Sequence, residues 1–179
     1  MKHLITVDEV RKYGRPISKQ VDNEKLESYI YETERLSIKP VLGDELFSRL
    51  LSIIDIPNED VYNKDLLLLL EGGEYNDRND NFHMFSGLKM AMSYYVYAQY
   101  VMDGDFQLTR SGVVVKDSAY SSHVSSKERS DCYNNALAAA KGFMDEVKYF
   151  MRERLPQYFN SGKMNPSSPH NSIIIKKIG

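Results

Sequence analysis

Residues 85–102 set the tightest limit on what this chain can fold into. Over about 18 positions, Phe85, Leu88, Met90, Ala91, Met92, Val96, Ala98, Val101 and Met102 combine with four interior tyrosines and leave almost no polar face. The stretch approaches membrane-spanning length, but Lys89, Ser93, Gln99 and the tyrosines would then sit in hydrocarbon, so a helix buried at the centre of a globular body is expected. A helix that is apolar all round needs cover on several sides. Ser125 and Glu128 form a capping-box pair that opens the longest helix, which runs to about Leu155 and spans roughly 45 Å at 1.5 Å per residue. Its Tyr133, Leu137, Ala140, Met144, Val147 and Met151 recur at steps of four and three, the seam of a helix packed lengthwise on another. Packing on the 85–102 helix of the same chain is expected in preference to a coiled coil between copies, whose heptads run longer.

Shorter helices precede this pair. Thr6 and Glu9 have capping-box spacing for a short helix that Gly14 and Pro16 stop. A second helix from Asp22 turns Leu26, Tyr29, Ile30, Thr33 and Leu36 inward, leaves Glu24, Glu27, Glu32 and Glu34 mostly outside, and ends before Pro40. Residues 42–47 turn and start another helix, with Asp44 and Glu45 at its positive end and Leu46, Phe47, Leu50 and Leu51 inward; residues 54–57 close it. The run Leu66, Leu67, Leu68, Leu69, Leu70 implies a helix buried on most sides and ended by Gly72-Gly73. Residues 74–81 read as a polar, turn-prone stretch. The valines after Gly112 favour a hairpin or extended loop, the main β signal of the body. The expected fold class is mainly α: a helical bundle of about five helices with a short β-hairpin or extended loop around residues 108–117.

The chain changes character after Leu155. Pro156, Pro166 and Pro169 cannot extend a helix, and the Ser, Asn and Gly between them bury little, so the division is a helical body over residues 1–156 and a linker with an extended arm over residues 157–179. The arm ends in Ile173, Ile174, Ile175, Lys176, Lys177, Ile178, which favours a β-strand. An isolated strand has no stability in water, so this one is a docking strand in search of a partner. Lysines beside the isoleucines suit an edge strand added under control. With no exposed sheet read in the body, the partner is expected in another chain.

Composition narrows the chemistry. The formal net charge of -2 gives no global footprint for holding a phosphate backbone. A single cysteine and no charged-then-apolar leader lead to the expectation of a reducing intracellular compartment. Thirteen tyrosines and no tryptophan supply amphipathic rings of the kind found at protein interfaces. His3, His83, His123 and His170 lie far apart without recognised metal spacing, and residues 77–80 and 103–105 lack the ligand pattern of a calcium loop, so solvated helix-end turns explain them better. Cys132 falls inside the long helix, where no dipole activates a thiol. Adjacent carboxylates such as Asp44-Glu45 do not converge on one substrate. No catalytic residue, metal ligand or cofactor site is expected.

Three stretches carry a family likeness: residues 42–47 (Leu-Gly-Asp-Glu-Leu-Phe), the Gly87-Leu88-Lys89 entry to a Tyr-rich helix, and residues 109–116 (Thr-Arg-Ser-Gly-Val-Val-Val-Lys) before a long last helix. Over approximately residues 4–159 the chain resembles the head-tail connector (adaptor) proteins of tailed bacteriophages, most closely adaptor-like proteins of Bacteroides and crAss-like phages. The resemblance implies a helical virion protein at the neck, made in the bacterial host cytoplasm. It implies a ring, usually dodecameric, below the portal, with tail or second-ring proteins beneath, DNA in transient non-specific contact with the lumen, no membrane and no catalysis. By the same analogy Arg110, Ser111, Gly112, Val113 and Lys116 form the inter-ring or lumen loop, and residues 173–178 dock on the portal or a neighbouring subunit. A soluble DNA-binding or genome-packaging accessory protein is the competing reading, motivated by Arg110, Lys116, Lys141, Lys148, Arg152 and Arg154.

Overall fold

Thr6 and Ser125 each open a helix by the reciprocal bonding that their spacing predicts. In the computed structural model, which describes residues 2–54, 61–103, 106–109, 112–115 and 125–159, Glu9 N–H donates to Thr6 Oγ1 at 3.2 Å while Glu9 Oε2 accepts from Thr6 N–H at 2.8 Å, starting α1 (Val7–Tyr13). After α1 come α2 (Asn23–Glu32), a π-helical segment (Thr33–Ile38), α3 (Lys39–Ile53) and α4 (Val61–Glu71). An antiparallel pair, β1 (Gly73–Asn76) and β2 (Phe82–Phe85), leads into α5 (Leu88–Asp103). A second pair, β3 (Phe106–Thr109) and β4 (Gly112–Val115), precedes α6 (Ser126–Arg154) and α7 (Pro156–Phe159). The fold is mainly α with a short hairpin where the valine run predicted one.

The core forms around α5. Its Leu88, Ala91, Met92, Val96 and Ala98 are buried, and it packs most extensively along α6. The α6 seam runs through Ala140, Met144, Val147 and Met151 as the spacing predicts, but its expected start at Tyr133 and Leu137 is only half-buried, and Ala136 and Phe150 are fully buried instead. Leu66, Leu69 and Leu70 of α4 and Val10 of α1 close other sides of the core. No helix among the described residues is long and apolar enough to cross a membrane. The central helix begins later than expected, because Phe85 belongs to β2 and Gly87, at φ +81°, makes the turn into α5. Gly43 breaks α3 with φ +78°, which agrees with the turn read there from the sequence.

The largest departure lies at residues 33–38. The sequence predicts Leu36 inward and Glu34 outward; instead Leu36 is 71% exposed and Glu34 is fully buried. A π-turn widens the helix and rotates every side chain after it relative to a 3.6-residue period. Thr33 and Glu34 swing inward together, where Thr33 Oγ1 donates to Gln99 Oε1 at 3.1 Å. Glu34 Oε1 accepts from Leu4 N–H at 2.5 Å and Oε2 lies 2.9 Å from His3 Nδ1, so one buried carboxyl group holds the N-terminal segment. The helical path therefore continues through Ile38 into α3, with Pro40 in the first turn of α3 instead of ending the helix before it.

Two boundaries also move. Residues 74–81 are not a simple turn but most of a hairpin, so the body does contain a sheet. At the other end Tyr158 on α7 is buried, which carries the body past the expected limit at residue 156.

Candidate interaction surface

The residues singled out as partner-binding fall mostly outside the described ones. Residues 173–178, Arg110, Ser111 and Lys116 are among those, as are His123 and His170. Gly112 and Val113 lie on β4, whose backbone pairs Gly112 with Thr109 and Val113 with Leu108. Among the described residues no helix packs extensively on this hairpin.

Several basic residues behind the DNA-binding reading are engaged locally. Lys148 Nζ lies 2.7 Å from Asp145 Oδ1, Arg154 Nη2 lies 3.0 Å from Asp65 Oδ1, and Arg152 stacks over the Tyr149 ring at 5.6 Å. Cys132 is half-buried, with its Sγ 3.8 Å from the Tyr97 hydroxyl. No group of three or more metal-ligating side chains occurs among the described residues.

The surface that stands out is the β1–β2 hairpin. Alternation along a strand sends Tyr75, His83 and Phe85 to one face and Glu74, Asn76, Phe82 and Met84 to the other. The inner face is an aromatic cluster: Phe85 stacks on Phe150 at 4.5 Å, Tyr75 meets Phe150 edge-on at 4.9 Å, and His83 stacks on Tyr75 at 5.2 Å. Burial of the Tyr75 ring, with nearby Tyr149, Glu153, Asp77 and Glu146, pushes its hydroxyl up to about 12. A two-stranded hairpin is marginal alone, and this packing on α6 is what holds it.

The hairpin loop is tied down as well. Asp77 accepts from Asn81 Nδ2 at 3.0 Å, Asn81 N–H at 2.9 Å and Asn79 N–H at 2.8 Å, and lies 3.1 Å from His83 Nε2. Those hydrogen bonds, the Asn81 amide first, hold its pKa well below the usual carboxylate range. Arg78 donates to the carbonyls of Arg152 and Glu153 at 2.7 and 3.3 Å, capping the C-terminal end of α6. Ser86 N–H donates to Glu146 Oε2 at 3.0 Å. The acidic loop read as a solvated helix-end turn is therefore the organised tip of a hairpin.

On this fixed mount Phe82 and Met84 point outward, 62% and 69% exposed. Sequence reasoning missed the surface although part of its signal was present: Phe82 and Met84 alternate around His83 directly after an Asp/Asn-rich loop. An open pocket of about 330 Å³ lies at the loop end of the hairpin, lined by Asp65, Asn76, Asp77, Arg78, Glu153, Arg154, Pro156 and Gln157. A second apolar spot is Leu36 with half-exposed Tyr31, next to Arg35, whose guanidinium lies 5.4 and 5.2 Å from the Tyr31 and Phe47 rings.

Residues 38–168 match the family of unknown function DUF6712. The chain belongs to this family. Comparisons with the curated proteins and with the solved structures find no match. The DUF6712 span takes in both hairpins, α5 and α6, and stops short of the isoleucine-rich end of the chain.

Proposed function

We propose that this DUF6712 chain is a structural virion protein: a head-tail connector subunit that forms a ring below the portal, joins capsid to tail and lets DNA pass through its lumen. The observation that carries the reading is the β3–β4 hairpin set between α5 and α6. Its described strands overlap residues 109–116, one of the three stretches on which the adaptor likeness rests, where that likeness expects a lumen or inter-ring loop. Exposed Leu36 and Tyr31 on the helical body offer apolar contact of the kind subunit interfaces cover. The net charge of -2 suits a conduit, because a strongly basic wall would hold DNA through counterion release.

The accessory-protein alternative needs accessible cations along a phosphate path, and Lys148, Arg152 and Arg154 are each engaged within the chain. A salt titration separates the two: a phosphate-binding protein loses DNA affinity steeply as salt rises, while a conduit subunit shows little binding at physiological salt. Attachment tests the connector reading itself. Full-length protein expressed with the portal of the same genome should co-purify with it, and a chain lacking residues 171–179 should keep its helix content and lose attachment. Loss of helix content in the shortened chain would contradict the assignment of the arm, and failure of the full-length chain to associate would count against the connector.

A further inference from the structure

Phe82 and Met84 form an apolar face on a sheet of two strands among the described residues, so β2 has a strand partner on one edge only. Large apolar side chains held outward on a rigid mount mark a place that something covers. We infer that residues 173–178 of the same chain dock there as a third strand, along the edge of β2 away from β1. The inference goes beyond the connector reading and needs neither a ring nor a portal.

The position of the chain's exit favours this occupant. Pro156 and Gln157 of α7 line one pocket with Asn76, Asp77 and Arg78, so α7 ends at the end of β1 and the hairpin loop, on the same hairpin as the proposed target. About 13 residues link Phe159 to Ile173, a tether that reaches up to about 43 Å when extended. A tether of that length rooted on the same hairpin, with its target within reach, gives an effective concentration of up to about millimolar, far above that of a partner in dilute solution.

The chemistry of the arm matches the face. In an extended strand Ile173, Ile175 and Lys177 share one side, and Ile174, Lys176 and Ile178 the other. Either side brings two isoleucines to Phe82 and Met84. Either also brings a lysine toward exposed Glu74, which pairs across from Met84, and exposed Asp80 in the loop. Main-chain pairing supplies the attachment and the alternating side chains the selectivity. Because β2 is only four residues long, the docked arm is held weakly enough for a competing strand to displace it, which shelters the isoleucines until a partner arrives.

Hydrogen exchange on the full-length protein tests this. The amides of residues 173–178 are expected to exchange at least ~10-fold more slowly than an unstructured peptide. That protection should be lost in Phe82→Ser/Met84→Ser, while α5 and α6 keep theirs. Ile173→Ser/Ile175→Ser, which leaves the body untouched, should lose it equally and guards against a folding defect in the first variant. Tenfold dilution of a sample of monomer mass should leave the wild-type protection unchanged. Exchange of residues 173–178 at the unstructured rate, protection that survives the Phe82 and Met84 substitutions, or protection that vanishes on dilution because the arm sits on another copy would each overturn the inference.

Discussion

Gly72 and Gly87 touch backbone to backbone, locking the end of α4 against the entry to α5. Both have φ +81°, and a Cβ on Gly72 would stand 2.5 Å from the carbonyl carbon of Ser86, while one on Gly87 would stand 2.5 Å from that of Glu71. Gly87→Ala is expected to lower stability by about 2–5 kcal/mol, combining a left-handed backbone with overpacking. Gly142, exposed within α6 with nothing near its missing Cβ, is the control: Gly142→Ala should stabilise by about 0.5–1 kcal/mol. Urea denaturation of the two variants checks the contrast, and equal effects would contradict the close approach.

The buried carboxyl group of Glu34 should matter more than its place on a surface-like helix suggests. Glu34→Ala leaves the Leu4 N–H without its acceptor, at a cost of about 1–3 kcal/mol. Glu34→Gln keeps an acceptor and should lose less. Thermal unfolding with exchange at the Leu4 amide reads both effects; an unchanged Leu4 amide in Glu34→Ala would remove the pinning role.

Lys89 joins three helices, with Nζ 2.6 Å from Glu9 Oε1 and also bonded to Glu71 Oε1. Burial pulls Lys89 down, but its hydrogen bonds to Glu71 and Glu9 outweigh that and leave it above the ordinary 10.5. Burial pushes Glu9 up, and the bonds from Lys89 and Thr6 outweigh that and leave it below 4.5. A raised lysine contributes in full below its ordinary pKa and loses the contribution as pH rises through the raised value; a lowered carboxyl group contributes in full above its ordinary pKa and loses it as pH falls through the lowered one. The contribution is therefore level from about pH 5 to pH 10 and declines beyond both ends. Lys89→Met should cost about 1–3 kcal/mol at neutral pH, less than a fully buried pair because Glu71 is half-exposed. Stability measured against pH should flatten at both ends in the variant.

Acid should also loosen the β1–β2 hairpin. Asp77 is held below its ordinary 3.8, so its contribution is full above that pH and is lost as pH falls through the lowered value. Asp77→Asn should remove this acid-dependent part. Exchange of the Tyr75 and His83 amides between pH 5 and pH 3, corrected for intrinsic rates, follows it; identical acid responses in the two proteins would rule Asp77 out.

Local signals that depend on a few neighbouring residues were legible in the sequence. The two capping boxes, the break at Gly43, the central α5 and the α6 seam from Ala140 to Met151 all follow from spacing or from a single glycine. Features that depend on tertiary context were not. Nothing in the run Thr33-Glu34-Arg35-Leu36 announces a π-turn, which is stabilised by burying Glu34 under the N-terminal segment. The β1–β2 hairpin was hidden because its strands are four residues each and its loop is rich in the polar residues that also end helices. Tyr158 lies beyond a proline that does end α6, yet it is buried because α7 packs back on the body. The apolar face of Phe82 and Met84 was therefore unseen, and the terminal isoleucines were left without a candidate partner inside the chain.

The connector reading is tested most directly by native mass measurement of the full-length protein together with its cognate portal. The account predicts a closed ring of copies, dodecameric if it follows the adaptors it resembles, seated on the portal ring. A protein that neither forms rings nor binds the portal, alone or in its presence, would contradict it.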